Sequence, residues 1–305
     1  MIVDFTDCEI NKLKTYGGAN GSKIGIVYDN EDYMLKFPSK PKLNNVLSYS
    51  NSTISEHIGC RIFEMLSIPS QKTIVGSYCH KGIERIVVAC GDLEINGYKL
   101  KDFASLKNTI IDSVRGGYGT ELADILQTIE EQSFVSPLLL KEFFWQMFMV
   151  DAFIGNFDRH NGNWGFLVNE ETRDIKISPI FDCGSCLFSE MDVNKMQEVM
   201  HSKAELEYRL YTIPKSTIMQ EGKKISYYDF LSSGQNGDCT NALQTITGRI
   251  HLSEIDKMID AIPLITDTEK TFYKFMLKER KERILDKSLE CLGLGKASAT
   301  QMREC

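Results

Sequence analysis

The sequence predicts an α+β fold of two lobes, a small β-rich lobe holding one key helix and a larger lobe that is mostly helical. Three observations carry this expectation. The first ninety residues break into short β-rich runs separated by turn residues. One stretch among them, "SNSTISEHIGCRIFEMLSIP", repeats apolar residues at helical spacing. Beyond residue 100 helical patterning dominates, interrupted by one hairpin-like segment. A chain of 305 residues is long enough for two lobes that share a core. The expected boundaries are 1–92 and 93–305, with a cleft between the lobes, where ligands usually bind.

Taken in order, "KIGIVY" and "YMLKF" are β-rich and separated by "DNED", a hairpin signal. In the helix that follows, Ile54, Ile58, Ile62 and Met65 share one face, and Pro69 lies beyond the stop. "ERIVVAC" is a further strand, and the glycine of "CGDLEING" opens a linker. In the second lobe "WGFLVNEETRDIKISPIF" reads as a hairpin with its polar turn at "NEETRD".

Composition narrows the function classes. Apolar content of 42% and charged content of 25% are ordinary for a soluble globular protein. A net charge of −7 gives no electrostatic footprint for nucleic acid or an anionic membrane. The opening "MIVDFTDCEI" lacks the parts of a signal peptide. The most apolar run, "LLLKEFFWQMFMVDAFIG", carries Lys141, Glu142 and Asp151, so no membrane span is expected. A cytoplasmic location follows as an expectation, while secretion without a cleaved signal stays open. The nine cysteines are odd in number and scattered, which suits reduced thiols. Cys183 and Cys186 have redox or zinc spacing, but no second pair accompanies them. Packed thiols are the better reading.

The chemistry concentrates in "IGNFDRHNGNWGFL", directly after that apolar run. Asp158 and Asn163 stand five positions apart, the D-x-x-x-x-N spacing of a phosphoryl-transfer loop. A carboxylate there can take the proton of an attacking hydroxyl, while an amide oxygen helps hold a metal on phosphates. Nineteen residues after Asn163 comes Asp182, at the end of an apolar strand and followed by Cys183 and Gly184. A helix-ending turn would explain the polarity of the loop but not this second acid. His160 either holds the loop by hydrogen bonds or joins the chemistry. Arg159 could pair with a carboxylate or with a phosphate.

A nucleotide also needs a cation in the small lobe. In "YMLKFP" strand alternation puts Tyr33, Leu35 and Phe37 on one face and Met34 and Lys36 on the other. Lys36 alone could be an edge residue. Glu56 shifts the balance. It lies away from the charged face of His57, Arg61 and Glu64 and is neighboured by Gly59, Cys60 and Phe63. A carboxylate pointing into protein needs a cationic partner, and Lys36 is the natural one. Ahead of both lies "TYGGANGSKIGI", whose residues Gly18, Ala19, Asn20, Gly21, Ser22 and Lys23 either cradle phosphates or form a hairpin turn.

These stretches, with "SEHIGCRI", "IVVAC" and "ISPIFDCGSC", resemble the HipA-like serine/threonine kinases of bacteria. The likeness is greatest to their short, stand-alone cell-translocating kinase A type, and it runs over nearly the whole chain. The resemblance implies a protein-kinase-like fold and phosphorylation of protein serine or threonine by ATP with Mg2+, for which Mn2+ could substitute. It implies Asp158 as the catalytic base, Asn163 and Asp182 as metal ligands and Lys36 as the phosphate-binding lysine. Val88, Cys90 and His160 would join the loop residues and Glu56 around the nucleotide. Family members also autophosphorylate, and Ser22 is the loop position where that is expected. The extra N-terminal subdomain of the HipA toxin is not expected in this chain, which puts an antitoxin-type partner in doubt. The protein substrate is not named by the sequence. A phosphoinositide kinase, whose loop also reads D-R-H-x-x-N, is the runner-up. Against it, residues 183–203 set Glu190, Asp192 and Glu198 beside Lys195 and Lys203, a poor surface for anionic lipid. A non-catalytic binding module is disfavoured, since every acid, amide and lysine position is filled.

Overall fold

The computed structural model describes residues 2–14, 16, 22–38, 51–111 and 116–295. Gly18, Ala19, Asn20 and Gly21 therefore lie outside the described residues, while Ser22 and Lys23 lie within them.

The small lobe is a six-stranded sheet. Its strands are β1 (Val3–Asp4), β2 (Glu9–Ile10), β3 (Lys23–Tyr28), β4 (Glu31–Lys36), β5 (Thr73–His80) and β6 (Ile83–Gly91), in the order β1-β5-β6-β4-β3-β2. Only the β1–β5 pairing is parallel. The β3–β4 hairpin turns on Asp29 and Asn30, both at positive φ (52° and 62°). Two left-handed residues match the twist of the flanking strands, so the turn is two residues long rather than the four of "DNED". Strand alternation buries Tyr33, Leu35 and Phe37 in a small core with Phe5, Ile26, Val87 and Ala89, which leaves Met34 and Lys36 on the opposite face.

Helix α1 (Ser52–Met65) buries Ile54, Ile58 and Ile62, and Met65 packs at the edge of the same face. Its neighbours belong to the large core, so this small-lobe helix shares its apolar surface with the second lobe. Gly59 allows that. A Cβ there would stand 2.6 Å from Cys183 Cβ, closer than any side chain tolerates.

The second lobe begins with β7 (Tyr98–Asp102), α2 (Phe103–Ile110) and α3 (Leu122–Glu131), then α4 (Pro137–Ile154). Strands β8 (Gly165–Asn169) and β9 (Ile175–Ile177) form the expected hairpin. β7, which follows the stretch "CGDLEING" and was not anticipated, pairs with β8 to complete a three-stranded sheet. Helices α5 (Val193–His201) and α6 (Lys203–Glu207) follow, then the short pair β10 (Met219–Gln220) and β11 (Lys223–Lys224). The remainder is α7 (Tyr227–Ser233), α8 (Gly237–Arg249), α9 (Leu252–Asp260), α10 (Asp267–Arg280) and α11 (Lys287–Cys291), with π-helical turns at Tyr208–Thr212 and Lys281–Asp286.

Helix α4 organises this lobe. Pro137 opens it, and its second half is buried on every side, as expected of a helix that is apolar all round. Gly155, left-handed at φ 65°, ends it. The last carbonyls of a helix lack partners within it. Buried Arg280 supplies them, its Nε donating to Ala152 O at 3.0 Å and Phe153 O at 3.2 Å. The segment after Gly155 therefore leaves α4 from a fixed point. Among the described residues no helix is long and apolar enough to cross a membrane.

Candidate active site

Residues 156–163 form a loop that holds itself in shape. Asn156 Nδ2 donates to Asp151 Oδ1 (2.8 Å), and its Oδ1 accepts from Asp158 N (3.1 Å). Tyr227 and Thr217 hydroxyls donate to the carbonyls of Asn156 and Phe157. Asn163 Nδ2 donates to Asp158 O at 2.9 Å, so its oxygen is turned away from that carbonyl. His160 accepts from Gly162 N at Nδ1 (3.0 Å), which helps hold the loop.

Arg159 settles as a structural residue. Its side chain is 2% exposed and that of Asp151 1%, with Nε 3.0 Å from Asp151 Oδ2. It also donates to Asn163 O (2.8 Å), Phe181 O (2.6 Å) and Cys183 Sγ (3.3 Å). The guanidinium thus ties α4, the loop and the Asp182 segment together. Burial works against its charge, yet Asp151 and Cys183 outweigh that and raise its pKa.

Lys36 and Glu56 meet. Lys36 Nζ lies 2.8 Å from Glu56 Oε2 and 3.1 Å from Asp182 Oδ1. Glu56 is wholly buried, and its other oxygen accepts from Cys183 N at 3.1 Å. Burial disfavours the Lys36 charge, but Asp182 and Glu56 outweigh it and hold the ammonium well above the usual lysine range. Asp182 sits at φ 56°, a left-handed conformation that a non-glycine residue adopts at a cost of about 1–3 kcal/mol. Lys36 lowers its pKa to about 2, against the effect of burial. Gly184 gives the close approach: a Cβ there would stand 3.2 Å from Glu56 Oε2.

Asp158, Asn163, Asp182, Lys36, Glu56, His160 and Lys23 line one cleft of about 660 Å³, within the range of small-ligand sites. No hydrogen bond or ion pair to a described residue claims the carboxylate of Asp158. Burial first, and then the Asp182 charge, raise its pKa against the pull of His160. Among the described residues no three His, Cys, Asp or Glu side chains converge as a closed metal site. Asn163 and Asp182 offer two oxygen ligands on one wall. That donor set fits a hard divalent cation whose remaining ligands are phosphate oxygens and water.

Val88 and Cys90 are fully buried in β6 and absent from the cleft lining. The strand runs on to Gly91, and the wall is built by Asp92, Leu93 and Glu94 instead. The sequence reading also missed Lys14, which pairs with Asp92, and Tyr16, which lines the cleft beside them. Ser22 is exposed, and its carbonyl accepts from Phe37 N at 3.1 Å. Cys183 and Cys186 are buried free thiols.

No protein-family model matches the chain. A curated relative, the serine/threonine-protein kinase CtkA of Helicobacter pylori, is 46% identical over 285 residues, covering 93% of this chain and 86% of the relative. The crystal structure of a Helicobacter pylori proinflammatory kinase CtkA superposes with a TM-score of 0.89 at 44% identity, over 95% of this chain and 98% of that one. HipA from a toxin–antitoxin complex of Shewanella oneidensis MR-1 with HipB and operator DNA matches at TM-score 0.58 and 15% identity, over 92% of this chain and 67% of that one, a likeness of fold alone. With nearly half of its residues shared along almost its whole length, the chain belongs to the family of the serine/threonine-protein kinase CtkA.

Proposed function

We propose that the protein transfers the γ-phosphoryl group of ATP to serine or threonine hydroxyls of proteins, its own included, with magnesium as the metal. The observation that carries this is the contact of Lys36 with both Glu56 and Asp182 on the wall of the cleft that also holds Asp158. Glu56 keeps Lys36 extended, and Lys36 donates to phosphate oxygens. Asn163 and Asp182 would hold the metal, for which manganese could substitute. Bound there, the metal would neutralise charge on the phosphates. Asp158 orients the acceptor hydroxyl and takes its proton, a role suited to a carboxylate that no described residue occupies.

The test is transfer of label from γ-labelled ATP to a generic protein acceptor and to the protein itself. Asp158→Asn should retain nucleotide affinity and lose about 10²–10⁴-fold in turnover. Near-normal turnover removes Asp158 from the mechanism, and no transfer by the unmodified protein removes the function. Self-modification is assigned to Ser22, where a phosphate would add about −1.5 to −2 charges beside the nucleotide's own. Peptide mass analysis after incubation with Mg-ATP checks it, and phosphate confined to other residues overturns the assignment.

A further inference from the structure

A second cavity, of about 890 Å³, takes part of its wall from the catalytic loop. Phe157, the residue before Asp158, is part of its wall, and so is Lys224, whose charge is felt at Asp158. Phe157, Phe188, Met191, Ile213 and Pro214 give it an apolar surface. A segment lying in this groove touches the residue next to the carboxylate that takes the hydroxyl proton.

The acidic side chains of the groove are not equivalent. Glu198 is paired with Lys195 at 2.9 Å, and Asp192 caps α5 by accepting from Lys195 N at 2.8 Å. Lys195 is also engaged by Glu205 at 2.8 Å, and Arg209 reaches that same Glu205 at 3.8 Å. Glu190 has no ion pair among the described residues. It is nevertheless half-buried, and burial raises its carboxyl pKa despite the nearby charge of Arg209. Arg209 is felt at Glu190 but stands beyond ion-pair distance, so the carboxylate is only partly compensated for its loss of water, and a cation that enters with a ligand relieves the remaining cost. Arg209, Lys215 and Lys224 line the same groove; Arg209 is engaged by Glu205, while Lys215 and Lys224 are exposed and hydrated, so they carry no such cost.

We infer that this groove receives the acceptor segment of the protein substrate, with apolar contact to its wall and a lysine or arginine of that segment paired to Glu190. The inference rests on the kinase reading and adds the sequence preference of the acceptor.

The test is a set of serine peptides in which a single arginine is moved through the positions flanking the acceptor, compared with the same peptides carrying alanine or glutamate. The unmodified protein should favour one arginine position. Glu190→Gln keeps the side-chain shape and should lower kcat/KM for that peptide about tenfold, bringing it level with the alanine peptide. Nucleotide affinity and kcat/KM for the alanine peptide should stay unchanged. Glu190→Lys should turn the preference toward glutamate. Transfer that is indifferent to arginine, a preference for glutamate in the unmodified protein, or an arginine preference that survives Glu190→Gln would each overturn the inference and leave the kinase reading intact. Absence of transfer to every peptide and protein would overturn both.

Discussion

Replacing Asp151 by asparagine should unfold the protein more readily than any change to the residues in the cleft. The substitution conserves shape and still accepts from Asn156 Nδ2, but it leaves Arg159 buried at 2% exposure without a counter-charge. Removing one partner of a buried ion pair costs about 3–5 kcal/mol. The backbone oxygens of Asn163 and Phe181 remain as acceptors for the guanidinium, which places the expected loss toward the lower end of that range. Total stabilities are about 5–15 kcal/mol, so a substantial part of the margin goes. At about 2–4 °C per kcal/mol, the midpoint should fall by roughly 6–12 °C. Thermal and urea unfolding measure it. The joint change Asp151→Leu with Arg159→Leu should recover most of the stability, because apolar groups can replace a buried pair. It should not recover transfer, since the ties from Arg159 to Asn163 O and Phe181 O are gone. Two results refute this: a loss below about 1 kcal/mol in Asp151→Asn, or full activity in the double variant.

Lys36→Ala and Glu56→Ala should each weaken the use of ATP, and the double variant should fall short of the sum by about 0.5–3 kcal/mol in kcat/KM, since the two side chains touch; strict additivity would separate them. The pH profile of kcat/KM should show an acid limb above the ordinary carboxylate value of about 3.9, because the raised pKa of Asp158 protonates the base as pH falls. Asp182, lowered to about 2, stays ionised over that range and does not contribute the limb. A limb at or below the ordinary value would clear Asp158 of the role. His57, held by burial at about 4 against about 6.5 unfolded, is neutral in the fold while the unfolded chain takes a proton. Its contribution is present above pH 6.5 and lost as pH falls toward 4, roughly 2 kcal/mol after allowance for partial exposure. Urea midpoints for His57→Gln should show a flatter slope over that window, and an unchanged slope would contradict the assignment.

Periodicity made the helix of Glu56 legible, and the odd position of that acid on its wheel pointed to a cation before any distance was known. The β8–β9 hairpin was legible for the same reason, a polar turn between two β-rich runs. β7 was not. "YKLKD" alternates without a strong apolar face, because it closes a small sheet at its edge, where every second side chain stays in water. The Asp151–Arg159 pair was hidden by sequence separation: an acid inside an apolar helix signals a buried partner but does not name it. The wall of the cleft shifted from Val88 and Cys90 to Asp92–Glu94 because the end of a strand is set by pairing, here of Gly91 with Tyr33, rather than by its own residues.

Helix α1 is fastened at both ends of its active face. Asn51 Nδ2 donates to Met191 O, and Asn51 N to Ser189 O, while Glu56 divides its oxygens between Lys36 and the amide of Cys183. With no Cβ on Gly59, its middle lies flush against Cys183. An outward swing of this helix would break all of these at one stroke and expose a buried carboxylate. The helix is therefore a fixed post, not a lever. Moving it would cost the Lys36 contact, the Cys183 amide contact and both Asn51 contacts together, so the lysine–glutamate pair is held in place before any nucleotide arrives.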